Sequence, residues 1–141
     1  MITPKAETPT HADDKRAYDL VSKRDDGRCQ KCKRQGDVQL DHRQNRVPGN
    51  TVPSNLQALC ADCHRWKTEH SEAALTEGWA VLRHTTLNPD EWPARRWVEG
   101  RFGILRLAWV LYLDEPDHGR MWFEIADIEA HFRLKAAGVS V

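Results

Sequence analysis

The sequence has no long apolar run. No window approaches the roughly 18–20 consecutive apolar residues that a membrane-crossing helix needs. Its first residues, MITPKAETPTHADDKR, contain no apolar stretch of the kind a secretory signal carries. The chain is therefore expected in the cytoplasm. Internal repeats and low-complexity tracts are also missing, which excludes a collagen-like architecture. Apolar residues are modest at 40 %, and the mean hydropathy is −0.71, so the core should be small. The 141 residues fit one domain plus tails.

Net charge is absent too, with 21 Lys and Arg against 21 Asp and Glu. The balance hides an uneven spread. Residues 15–70 carry 12 basic against 7 acidic groups, a net of +5. Residues 1–14 carry 1 against 3, and residues 71–141 carry 8 against 11. A basic first half can form a local phosphate-binding face even in a neutral chain.

There is no unpaired cysteine. The four fall as Cys29-Gln30-Lys31-Cys32 and Cys60-Ala61-Asp62-Cys63. Each CxxC turn offers two thiolates close together, and two turns complete a tetrahedral zinc shell. A redox pair needs one CxxC rather than two, and a reducing compartment disfavours disulfides. Zinc bound by Cys29, Cys32, Cys60 and Cys63 is the expectation. A small core also needs such a staple.

Local pattern sets the elements. Residues 1–12, with two Pro and three Thr, predict a disordered tail. Asp13 or Asp14 caps a helix to about Arg24, with Ala17, Leu20 and Val21 on one face. Val38-Gln39-Leu40 leads a short strand into Asp41-His42. Residues 43–54 are a Pro- and Gly-containing loop. Leu56 to Leu59 is a second strand, and a helix opens at the second knuckle and runs to His70. A helical turn follows from Ser71 to Gly78, then an expected strand over Trp79–Arg83. A hairpin of Ile104–Leu113 and Met121–Ala126, turning at 114–119, precedes a helix from Asp127 to about Ala137. This divides the chain into a tail (1–12), a domain (13–93) and an extension of hairpin plus helix (94–141).

The stretch from Cys29 to about His70 holds CQKC, LDH, SNLQALCADCH and RWKT. In combination these resemble the HNH endonuclease family. The resemblance implies an α+β fold: a ββα-metal core stapled by zinc, here with an N-terminal helix and a C-terminal extension. The run to about Pro93 also resembles small phage-encoded HNH proteins. From that alone come a bacterial host cell as the location, a role in genome packaging and a terminase as partner.

The chemistry matches residue by residue. Phosphodiester hydrolysis needs a deprotonated water, a stabilised phosphorane and a neutralised leaving oxygen. His42 suits the first task, because imidazole titrates near neutrality. A divalent ion, Mg²⁺ or Mn²⁺, serves the others, held by Asp41 and His64. Neighbouring strand residues face opposite sides, so Asp41 and His42 divide the roles of ligand and base. Asn55 matches the family's middle Asn. It braces the 43–54 loop, orients His42, or contributes to metal or water binding. A position four residues beyond His64, a His in some relatives, is Thr68 here. His70 falls roughly 216° around the helix from His64 and points away. His11, His84, His118 and His131 have no partner pattern.

Arg43, Arg46 and Arg65 lie beside this constellation, and Lys31, Lys33 and Arg34 cluster at the first knuckle. These are expected to contact DNA phosphates without reading sequence. The functional expectation is a metal-dependent DNA endonuclease that nicks or cuts both strands. The alternative is a non-catalytic zinc ribbon that binds nucleic acid or protein, which has no use for Asp41, His42 and His64 together.

Overall fold

The computed structural model describes residues 11–141. The tail expected over 1–12 lies outside them except for His11 and Ala12, which are helical. Helix α1 spans His11–Asp25, with Asp13 and Asp14 in its first turn and Lys23 and Arg24 in its last. That charge order suits the helix dipole. Its inward residues Ala17 and Val21 pack on Leu56, with Tyr18 and Leu40 alongside. Polar contacts pin its end. Arg24 donates to the Pro53 carbonyl at 2.9 Å and the Leu56 carbonyl at 2.6 Å. Asp25 accepts the Ala58 N–H at 2.9 Å.

Strands β1 (Val38–His42) and β2 (Leu56–Cys60) form an antiparallel pair, with Asp41 opposite Gln57 and His42 opposite Leu56. Every residue of β2 is buried. Helix α2 (Ala61–Glu69) starts directly after it, and α3 (Ser71–Thr76) follows. The strand pair and α2 are the expected ββα unit, and the whole is α+β.

A second, three-stranded antiparallel sheet has the order β3-β4-β5, from β3 (Ala94–Glu99), β4 (Leu105–Asp117) and β5 (Arg120–Ile125). Helix α4 (Asp127–Ala136) closes the chain. β3 has no counterpart among the expected elements. Its alternating buried residues are Ala94, Arg96 and Val98. The central Arg breaks the apolar pattern, yet it is buried because it pairs with Asp25 at 3.0 Å. Trp79–Arg83, expected as a strand, joins no sheet. Trp79 and Val81 are buried, and their backbones bond to the Gln57 side chain and the Arg43 carbonyl. β4 extends to Asp117, so the hairpin turn tightens to His118-Gly119, both at positive φ.

The expected boundary at 93/94 runs through a shared core. Val81 and Trp92 pack with Trp109, Leu111, Ile125, Ala130 and Leu134. On the other face, the Arg24 guanidinium lies 3.8 Å over the Tyr112 ring. The Ser54 N–H bonds to Asp114 at 2.9 Å. The second sheet therefore backs the loop that carries the site. At Gly78 (φ +85), a Cβ would come 2.5 Å from the Trp109 ring, so only glycine permits this approach of the segment after α3 to β4.

Candidate active site

The first knuckle is a turn in which the Cys29 N–H bonds to the Arg34 carbonyl at 2.8 Å and the Lys33 N–H to the Cys29 carbonyl at 3.0 Å. Lys33 takes a φ of 71° to close it. Cys60 ends β2 and Cys63 sits in the first turn of α2. The four sulfurs lie within 4.8 Å of one another, and those of Cys32 and Cys60 are 3.7 Å apart. A zinc with bonds of about 2.3 Å sets sulfurs about 3.8 Å apart along a tetrahedron's edge. The cluster thus fits a structural metal such as zinc. Burial pushes the Cys60 thiol up, but hydrogen bonds from the Cys63 N–H and the neighbouring thiols outweigh it, bringing the group to about 7.

Asp41 and His64 are brought together as expected: Asp41 Oδ1 is 2.8 Å from His64 Nδ1. The Asp41 side chain is buried, and that of His64 is 54 % exposed. At this distance the two atoms share a hydrogen bond. Adjacent ligands of an octahedral ion with bonds of about 2.1 Å lie about 3 Å apart, so the same pair would also fit two neighbouring positions around a divalent cation. The second Asp41 oxygen is held separately. Oδ2 accepts from Gln57 Nε2 at 3.0 Å and from Lys67 Nζ at 2.9 Å. Lys67 also donates to the His42 carbonyl at 2.7 Å.

Neither Gln57 nor Lys67 was among the expected site residues. Gln57 stands opposite Asp41 in the ladder, so an explicit strand register would have found it. Lys67 lies three residues after His64, on the same helix face.

His42, on the other side of the strand end, is half-buried. Its Nε2 is 3.0 Å from Thr51 Oγ1. Burial, and next the charge of Arg46, lower its pKa below the ordinary imidazole value, with Asp41 opposing. Thr51 sits in a loop with no sequence signal. Of the three alternatives for Asn55, the loop-bracing one corresponds to the hydrogen bonds it makes. It is fully buried, and its Oδ1 accepts the Gln44 N–H at 2.8 Å. Its Nδ2 donates to the carbonyls of Gln44 and Asn50 at 3.1 and 2.9 Å. These bonds close the 43–54 loop beside His42, and none of them goes to the His42 ring.

Of the expected phosphate contacts, Arg43 is corrected. It is 1 % exposed. Its guanidinium donates to the carbonyls of Ser54, Pro89, Trp92 and Pro93 at 2.8–3.3 Å, and burial lowers its pKa to about 10. It joins the loop to the second sheet and has no surface for DNA. Arg46, Arg65 and Arg34 have side chains 65 %, 65 % and 56 % exposed, with only long contacts to Asp14 or Asp62. Lys31 lies 4.0 Å over the Trp66 ring and Lys33 4.2 Å over Trp97. Trp66 stacks on His70 at 5.3 Å, which turns His70 away from the site.

Residues 29–70 match the family model described as HNH endonuclease. That segment contains both knuckles and every residue of the Asp41–His42–His64 site, and it makes up under a third of the chain. The match implies a nuclease with a nucleic-acid substrate. No curated protein and no solved structure matches the chain. No helix among the described residues is long and apolar enough to cross a membrane.

Proposed function

We propose that the protein is a divalent-metal-dependent endonuclease that hydrolyses DNA phosphodiester bonds, by nicking or by cutting both strands. The observation that carries this reading is the divergence at the end of β1. Asp41 meets His64 on one side, and His42 stands on the other, held by Thr51. A non-catalytic zinc ribbon has no need for a buried carboxylate and two imidazoles so placed.

When bound, Mg²⁺ or Mn²⁺ supplies Lewis-acid stabilisation of the phosphorane and of the leaving 3′-oxygen. Asp41 Oδ1 and His64 Nδ1 would hold it, leaving most positions to water and phosphate. The remaining work falls to this chain's residues. In the tautomer that donates Nε2–H to Thr51 Oγ1, 3.0 Å away, the neutral His42 ring keeps a lone pair on Nδ1 for a water proton. Its depressed pKa keeps that form populated at neutral pH. Asn55 fixes the loop that carries Thr51. Arg46, Arg65, Arg34, Lys31 and Lys33 attract the phosphate backbone from exposed positions. The two lysines are already ordered against tryptophan rings, which lowers the entropy cost of using them. Products with 5′-phosphate and 3′-hydroxyl ends, and work beside a phage terminase in DNA packaging, rest on the sequence resemblance.

The test is nicking of supercoiled plasmid by the zinc-loaded protein with added Mg²⁺ or Mn²⁺, beside His42→Ala. Cleavage by the wild type and its loss in the variant support the reading. Binding without any cleavage supports the zinc-ribbon alternative.

A further inference from the structure

The proposed metal pair uses one oxygen of Asp41, and the other oxygen has its own partners. Oδ2 takes hydrogen bonds from Gln57 Nε2 at 3.0 Å and Lys67 Nζ at 2.9 Å, while Oδ1 alone faces His64. Gln57 is fully buried, and its amide also donates to the Trp79 carbonyl at 2.7 Å, so it cannot swing away cheaply. The Lys67 side chain is 12 % exposed and is tied at its far end to the His42 carbonyl. The carboxylate is thereby clamped in one orientation. Its charge is also balanced by a fixed ammonium that lies within one carboxyl group of any cation on Oδ1.

We propose that Lys67 is a positioning and charge-setting residue that keeps the divalent-metal site weak in the free protein, so that a substrate phosphate must complete it. The inference rests on the nuclease reading for its substrate but on geometry for the site itself. Affinity of an oxygen site for a divalent ion follows its ligand charge. Here the one carboxylate is already balanced by one ammonium, and His64 adds none when neutral. A phosphodiester brings the missing negative charge. Metal and DNA then bind with positive coupling, each raising the affinity of the other by the same factor. Gln57 and Lys67 share the orienting work, but only Lys67 carries charge. Their loss should therefore move metal binding in opposite directions.

The experiment is a Mn²⁺ titration of the zinc-loaded full chain, reading free Mn²⁺ by electron paramagnetic resonance at constant pH and ionic strength. Lys67→Met should tighten Mn²⁺ binding by about tenfold or more, because a fixed positive charge a few ångströms from the ion is removed. Lys67→Arg should stay near the wild type. Gln57→Leu should weaken binding, and Asp41→Asn should abolish it, which assigns the signal to this site. Added duplex DNA should raise the wild-type affinity by a larger factor than that of Lys67→Met. A purely structural lysine would leave Lys67→Met unchanged or weaker, and either result overturns the proposal, as does Mn²⁺ binding that survives Asp41→Asn. Plasmid nicking is run in parallel. If the affinity shifts appear without cleavage by the wild type, the nuclease reading fails and the charge-setting role stands.

Discussion

At the scale of the residue, two neighbours on one strand do different work because their side chains diverge. Asp41 is turned inward to Gln57, Lys67 and His64, and His42 outward into a loop that Asn55 holds shut. His42→Ala should keep the fold and DNA binding but lose about 10²–10⁴-fold in cleavage rate, the usual cost of a missing general base. The pH dependence has a definite sign. Burial, with Arg46 next, depresses the His42 pKa in the folded protein, so cleavage should rise with pH through a midpoint below the ordinary imidazole value of about 6.5 and level off above it. Stability shares this origin. As the pH falls past the ordinary value, the unfolded chain protonates first. The contribution of the neutral ring is therefore lost between that value and the lower folded one. Single-turnover rates and urea midpoints across this range measure both effects. A midpoint well above pH 7 would move the base to another group.

At the scale of the element, arginines of similar sequence context have opposite fates. Arg43 and Arg46 lie three residues apart beside the site, but one is enclosed by four carbonyls and the other is open to solvent. Arg43→Met should lower stability by about 2–4 kcal/mol, because buried carbonyls lose their donor, and the loss should appear in urea unfolding. Arg46→Ala and Arg65→Ala should leave unfolding unchanged. Each should reduce the log–log salt slope of DNA binding by about 1, the signature of a lost phosphate contact. Salt titrations of the folded variants decide between these. Arg43 also shows where sequence reading ends. The knuckles, β1, β2, α2 and the Asp41–His64 pair were legible, because zinc spacing, short apolar runs and helix start signals are local. Arg43 read as a surface charge, and nothing local reveals that its partners are the carbonyls of Trp92 and Pro93, about 50 residues further on. Arg96 at the centre of β3 hid that strand, and without β3 the second sheet looked like an appendage. Gln57 and Lys67 needed the strand register and the helix face, which appear only once the elements pack.

At the scale of the whole molecule, the cysteine cluster and the proposed divalent-metal site meet at helix α2 but differ in chemistry, and they should separate experimentally. The cysteine cluster is closed: four sulfurs within 4.8 Å of one another, three of their residues buried. It joins the turn after α1 to the end of β2 and the start of α2. Such sites contribute on the order of 10 kcal/mol or more to the folded form, so Cys60→Ser should lose both zinc and fold. The proposed second site is open, with one carboxylate oxygen, one imidazole already half-exposed, and a neighbouring ammonium. It has few protein bonds and mostly hard ligands, which favour Mg²⁺ or Mn²⁺ over a resident zinc. Brief treatment with a moderate chelator should therefore abolish cleavage while the zinc content and the circular dichroism spectrum stay constant. Added Mg²⁺ or Mn²⁺ should then restore the rate. Asp41→Ala should remove that restoration without changing the zinc, since Asp41 bonds to no cysteine and sits in a different part of the ladder. Elemental analysis alongside activity reads both quantities from one sample. If activity followed the zinc content alone and no added divalent ion restored it, the two-site arrangement would be wrong, and the Asp41–His64 pair would be a structural tie between β1 and α2.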